Sequence, residues 1–188
     1  MVSNRQNGFT MIEVIMVMAI IAILAVPGAY LMTYFIRNAV YIPNKLNMDM
    51  IASDALKIMI DGDSQAAGLR TSRILTNIQA NDITFINQNN QTVRYFIDLL
   101  VNPTVISRSI NGGAATRIPY YVPATNVNIT GKSNALFTYY DVSGVITNNP
   151  ANVRWVTLGL ITKIGTGFSV NWEAQSDQSS SVTVKKYQ

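Results

Sequence analysis

Asn7–Asn38 reads NGFTMIEVIMVMAIIAILAVPGAYLMTYFIRN, and its one acid decides how the chain is understood. Between Arg5 and Arg37 the only formal charge is the carboxylate of Glu13, four residues after Phe9. The apolar run Phe9–Ile36 is 28 residues long. As a helix rising 1.5 Å per residue it reaches about 42 Å, against roughly 30 Å of bilayer hydrocarbon, which predicts a membrane-spanning helix. Tyr30 and Tyr34 fall near its far end, where aromatic rings favour the interface, and Arg37 closes it. Arg5 predicts a cytoplasmic N-terminus with the remaining chain outside. A cleavable secretory signal has an apolar core of only about 7–15 residues. An ionised carboxylate in a spanning helix costs about 2.5–3.5 kcal/mol on insertion scales, so Glu13 needs a partner.

The 188 residues suffice for that segment and one ordinary domain. Hydrophobic residues make up 48% and charged residues 13%. That charge content is about half the level usual in soluble domains, and Asn, Ser, Thr and Gln supply the missing polarity in the second half. The net charge of +4 argues for no nucleic acid partner without a local patch. There is no histidine, which excludes His-based triads, general bases and metal sites. There is no cysteine either, so thiol nucleophiles, zinc clusters and disulfides are excluded, while the redox compartment stays open.

Gly8-Phe9-Thr10-Met11-Ile12-Glu13 resembles the prepilin cleavage and methylation motif of type IV pilins and type II secretion pseudopilins, with Met11 in place of the usual Leu. In that family a short basic leader precedes the Gly, as Met1–Gly8 with Arg5 does here. The resemblance implies that a membrane aspartic peptidase, the prepilin peptidase, cuts between Gly8 and Phe9 and N-methylates Phe9. The new ammonium then lies four residues before Glu13, and the two charges compensate each other within a subunit or between neighbours. Such a pair sets axial register more than it adds stability. The implied product is a structural filament subunit, not an enzyme. It starts as a single-pass protein of the inner membrane with its C-terminal domain periplasmic, then enters a type IV pilus or pseudopilus. Its implied partners are other pilin or pseudopilin subunits and the prepilin peptidase, with the assembly ATPase and inner-membrane platform protein acting indirectly. A major pilin, or a membrane-anchored binding domain using a pilin-type signal, is the alternative.

Two prolines interrupt the helical reading. Pro27, next to Gly28, predicts a kink or local melting within the membrane helix. Pro43 predicts a second break, because Ile42 before it is biased away from helix. A new amphipathic helix is then predicted from the spacing of Leu46, Met50, Ile51, Ala55, Ile58 and Met59, ending at Gly62. Lys57 is predicted to pair with Asp54 and Asp61. From Asp82 onward short segments rich in β-branched and aromatic residues predict strands: ITF, TVRYFI, VISRSI, RIPYYV, ALFTYY, VRWVTLGLIT, FSVNW and SVTVKK. NQNN, NGG, DVSG and GTG are the predicted turns. Val153–Thr162, apolar on both faces, predicts a central strand beneath the helix. The expected fold is α+β, a pilin fold: a long N-terminal helix laid on one antiparallel sheet. The expected parts are a leader at 1–8, an assembly helix at 9–36, and an amphipathic helix with a β-rich domain at 37–188. Within that domain DITFINQNNQTVRYFIDLLVNPTVISRSING, LFTYYDVSG, VRWVTLGLIT and SSSVTVKKYQ resemble the W-type minor pilins and J-type minor pseudopilins.

No cofactor is expected. Asp61-Gly62-Asp63-Ser64 has the opening of a calcium loop, but Gln65, Ala66 and Ser72 stand where an EF-hand needs other residues, which leaves a looser calcium loop as the alternative. Arg70, Arg73, Arg94, Arg108 and Arg117 could line a strip for DNA; their scatter, with acids nearby, predicts solvated surface positions instead. Tyr120-Tyr121 and Tyr139-Tyr140 are adjacent, so on a strand one of each pair points inward.

Overall fold

The computed structural model describes residues 9–98, 104–120, 127–164 and 174–184. Arg5, Gly8, Tyr121, FSVNW and GTG lie outside them. The chain divides into two units, Met1–Ile42 and Pro43–Gln188. One helix, α1 (Met11–Asp61), runs through the boundary. Pro27 and Pro43 both sit inside it, so neither ends the helix, against expectation at Pro43. Proline's fixed φ is itself helical. Its cost is an unmade hydrogen bond and a clash with the carbonyl four residues back, about 3 kcal/mol. Beyond Pro43 the helix carries seven buried residues, and their packing outweighs that cost.

The buried stripe of α1 is Met48, Ile51, Ala52, Ala55, Leu56, Met59 and Ile60. Leu46 and Met50 were expected in the core, yet they are 59% and 63% exposed. The helix ends where Gly62 takes a φ of +91°, donating its N–H to the Ile58 carbonyl at 3.0 Å. A Cβ there, or on Gly68, would strike the other glycine's backbone nitrogen at 2.5 Å, so the two glycines let the chain double back tightly. A short 3₁₀ turn, η1 (Leu69–Thr71), follows.

Two antiparallel sheets follow, where one was expected. The first has the order β1-β2-β3-β4-β5: Ile74–Gln79, Asp82–Ile86, Thr92–Asp98, Val105–Ile110 and Thr116–Ile118. In the second, β8 (Trp155–Ile164) is central, as expected. Along one edge β8 pairs with β6 (Val127–Gly131) and β7 (Phe137–Tyr140), and along the other with β9 (Ala174–Thr183). The sheets join through backbone bonds, Ile129 N to Thr104 O at 2.8 Å and Leu136 N to Ala80 O at 2.8 Å. β1 and β6 were not foreseen, and β9 begins earlier than its predicted segment.

The stripe of α1 from Met48 onward packs on both sheets in one apolar cluster, with Phe85, Tyr95 and Ile106 from the first sheet and Phe137, Leu158 and Leu160 from the second. Each such side chain contributes about 1.5–3 kcal/mol on burial. Polar bonds fix the helix over each sheet. Thr162 Oγ1 donates to the Met48 carbonyl at 3.0 Å, Gln178 Nε2 to the Asp49 carbonyl at 3.1 Å, and Tyr95 OH to the Ile58 carbonyl at 3.2 Å. Tyr139 is buried, as one of its pair should be, while Tyr120 is 73% exposed.

Candidate functional site

The first turn of α1 is closed by Thr10 and Glu13. The Glu13 carboxylate oxygen Oε2 accepts from the Thr10 backbone N–H at 2.8 Å and from Thr10 Oγ1 at 2.9 Å. In return Thr10 Oγ1 faces the Glu13 N–H at 3.4 Å. This is a capping box: a hydroxyl residue at the N-cap and an acid three residues on, each serving an orphan donor of the other. The carboxylate therefore sits at the positive end of the helix, with Oε2 engaged by Thr10, the residue that follows Phe9. Phe9 itself is 85% exposed. Thr10 was missed as a site residue, although the Thr-x-x-Glu spacing signals such a cap in the sequence alone.

Every side chain from Phe9 to Ile36 is exposed within the chain. The helix α1 is long and apolar enough to cross a membrane. Pro27 has no N–H to give the Ile23 carbonyl, and Pro43 none for Ala39. Nearby, Thr33 Oγ1 donates to the Ala29 carbonyl at 2.9 Å, keeping its hydroxyl satisfied within the apolar stretch.

The second group of polar residues lies where α1 turns into the first sheet. Asp63 Oδ1 accepts from Arg108 Nη1 at 2.9 Å and from the N–H groups of Gln65 and Ala66 at 2.9 and 3.2 Å. Arg108 Nη2 donates to Gln65 Oε1 at 2.7 Å. The Arg108 side chain is only 1% exposed, which corrects its expected place on the solvated surface. Tyr95 stands opposite Arg108 in the β3–β4 register, and burial pushes its phenol up to about 12. Burial raises the Asp63 carboxyl, but the Arg108 guanidinium and the two backbone donors outweigh it and hold the group below its ordinary value. Asp61 accepts from Arg70 Nε at 2.7 Å and not from the expected Lys57. Both acids of the calcium-like stretch are thus committed to arginines. Arg94 grips Asp82 through Nε and Nη2 at 3.0 and 2.6 Å, and Arg73 Nη1 reaches Asn90 Oδ1 at 3.1 Å. Arg70, Arg73, Arg94 and Arg108 are thus spent on intramolecular contacts and form no strip for nucleic acid at these four positions.

No curated protein and no solved structure matches the chain. Residues 3–29 match the family model described as the prokaryotic N-terminal methylation motif, a stretch that takes in the capping box and most of the apolar helix up to Pro27 and Gly28. The chain therefore carries a pilin-type methylation signal leading into an apolar helix, followed by a domain whose α+β class, one helix on antiparallel sheets, is consistent with the pilin fold.

Proposed function

We propose that this chain is a minor pilin or pseudopilin, a structural subunit of a type IV pilus or type II secretion pseudopilus. The observation that carries the reading is the methylation motif at residues 3–29, set at the head of a helix whose Phe9–Ile36 side chains are all exposed. Prepilin peptidase cuts between Gly8 and Phe9, and Phe9 is then methylated. The ammonium so formed finds the Glu13 carboxylate, already oriented by Thr10 at the helix start. Packed side by side, such helices cover their apolar surfaces with one another, and the domain from Pro43 onward forms the outer layer. The minor role rests on the likeness of the β-rich half to the W and J types. The test is intact-mass analysis of protein taken from its native membrane. The expected mass begins at Phe9 with one added methyl, and Gly8→Val should leave an uncut precursor. A mature start beyond Ala25 would instead mark an ordinary secretory signal and end this reading.

A further inference from the structure

An edge strand leaves a row of backbone N–H and C=O groups unpaired, and folded proteins blunt such rows with short strands, bulges, proline or lysine. The other edges here are blunted. β1 carries a register shift between Leu75 and Asn77. β5 is three residues long and Pro119 follows it. β6 and β7 abut the first sheet through the bonds of Ile129 and Leu136. β9 has none of these devices, although the short η1 turn lies beside it. It runs ten residues, Ala174–Thr183, without proline, lysine or arginine, and pairs with β8 in unbroken register from Ala174↔Ile164 to Thr183↔Trp155. Among the described residues it pairs with no other strand. Its single acid, Asp177, is held by Lys132 at 3.1 Å.

Beside this open edge lies a groove of about 310 Å³, lined by Ser53, Lys57 and Asp61 of α1, Arg70 of η1, and Gln178–Ser180 of β9. Asp61 is engaged by Arg70, whereas Lys57 is exposed and has no hydrogen bond or ion pair among the described residues. Two features converge at one place: a row of backbone groups that another extended chain can pair, and an ammonium in the wall next to it that has no partner among the described residues. We propose that β9 is a docking edge, which takes up an extended segment of another polypeptide as a further strand of the second sheet, with an acidic side chain of that segment set against Lys57. The inference stands apart from the reading of the N-terminal segment, since it concerns residues 53–70 and 174–183 alone.

The test uses the full chain in detergent micelles and two synthetic peptides, Thr-Val-Thr-Glu-Thr-Val-Thr and its twin with lysine at the centre. Titration calorimetry gives affinity, and hydrogen exchange reports which amides are protected. The glutamate peptide should protect β9 amides and bind about two- to five-fold more tightly than the lysine peptide, the range of an exposed ion pair. Lys57→Ala should erase that preference. Ser179→Lys, which places a charge on the edge at an exposed position, should abolish binding of both peptides, with Gln175→Lys as a second blocking variant. No protection of β9 by either peptide overturns the proposal, as does equal affinity for the two peptides in the unaltered chain. Because the chain has no cysteine, Ser179→Cys supplies a unique thiol. Oxidation to a disulfide-linked dimer that the glutamate peptide fails to suppress would make a second copy the occupant and overturn the assignment to another polypeptide.

Discussion

Glu13 caps the helix and, in the proposed function, also neutralises an ammonium; one substitution cannot separate these roles and two can. As the third residue of a capping box it accepts from the Thr10 backbone N–H, and a neutral amide oxygen serves that purpose as well. As the partner of an N-terminal ammonium it must be charged. Glu13→Gln keeps the cap and removes the charge; Glu13→Val removes both. Both variants should insert and be cut normally, since each takes a costly charge out of the membrane. Filament or multi-subunit complex should be lost in both, because the broken pair costs about 3–5 kcal/mol once buried between helices. Recovery of assembly by Glu13→Gln alone, measured on sheared material at equal membrane levels, would reduce the acid's role to capping. Arg108 and Asp63 give a second pair for which the sign of the effect is fixed. Asp63's carboxyl is lowered on folding, so its contribution is present above the unfolded value near 4 and fades as pH falls through the folded value. Chemical denaturation of the unaltered chain should therefore weaken below about pH 4, and Asp63→Asn should flatten that acid limb. Arg108→Ala should cost about 1.5–3 kcal/mol at pH 7, because it takes a charged hydrogen bond from Asp63, which keeps its two backbone donors. A loss under 1 kcal/mol would mean that the clamp between the helix end and β4 carries little weight.

Helix and strand differ in how much of themselves they declare in advance. The long helix, its end at Gly62 and the central place of Val153–Thr162 were legible because each rests on a local pattern: an apolar run, a left-handed glycine, a strand apolar on both faces. The face that α1 turns inward was not legible. Leu46, Met48, Met50 and Ile51 are all apolar, so periodicity alone offers two overlapping stripes, and only the positions of the sheets select the one through Met48. The continuity of α1 through Pro43 was hidden for a similar reason, since it depends on packing beyond the proline. β1 and β6 have weak local signals because an asparagine interrupts each of ILTNIQ and VNITG, and they are held by their partners in the sheets. Arg108 looked solvated because its partner Asp63 comes from 45 residues away, a distance that no local pattern encodes. The choice of stripe yields a direct comparison. Met48→Ala, at a site with 0% exposure, should destabilise by about 2–5 kcal/mol. Leu46→Ala, at a site 59% exposed, should stay within about 0.5 kcal/mol. Equal losses in urea denaturation would show that both faces of this half-helix are buried in the protein as it folds.

At the scale of the whole molecule, the two units differ in what they need to be stable. Among the described residues the apolar core lies between Met48 and Val184, so the part from Pro43 onward contains its own core, its own sheets and the clamp of Asp63 with Arg108. The segment before it offers only exposed apolar side chains, with no buried residue from Phe9 to Ile36. A chain beginning at Asn44 should therefore fold on its own. Its circular dichroism should be dominated by strand, with helix confined to the stretch up to Asp61, and it should unfold in one cooperative transition. It should also remain soluble without detergent and monomeric in sedimentation, because the exposed apolar surface of residues 9–36 has been removed. The comparison with the full chain then separates two sources of assembly. If self-association disappears with residues 1–43, the N-terminal helix is the assembly element and the domain is its cargo. A shortened chain that still forms the same multi-subunit complexes would place the contacts in the β-rich domain and remove the N-terminal segment from the mechanism of assembly. A shortened chain with no cooperative transition would show that the core needs the helix turns before Pro43 to hold together.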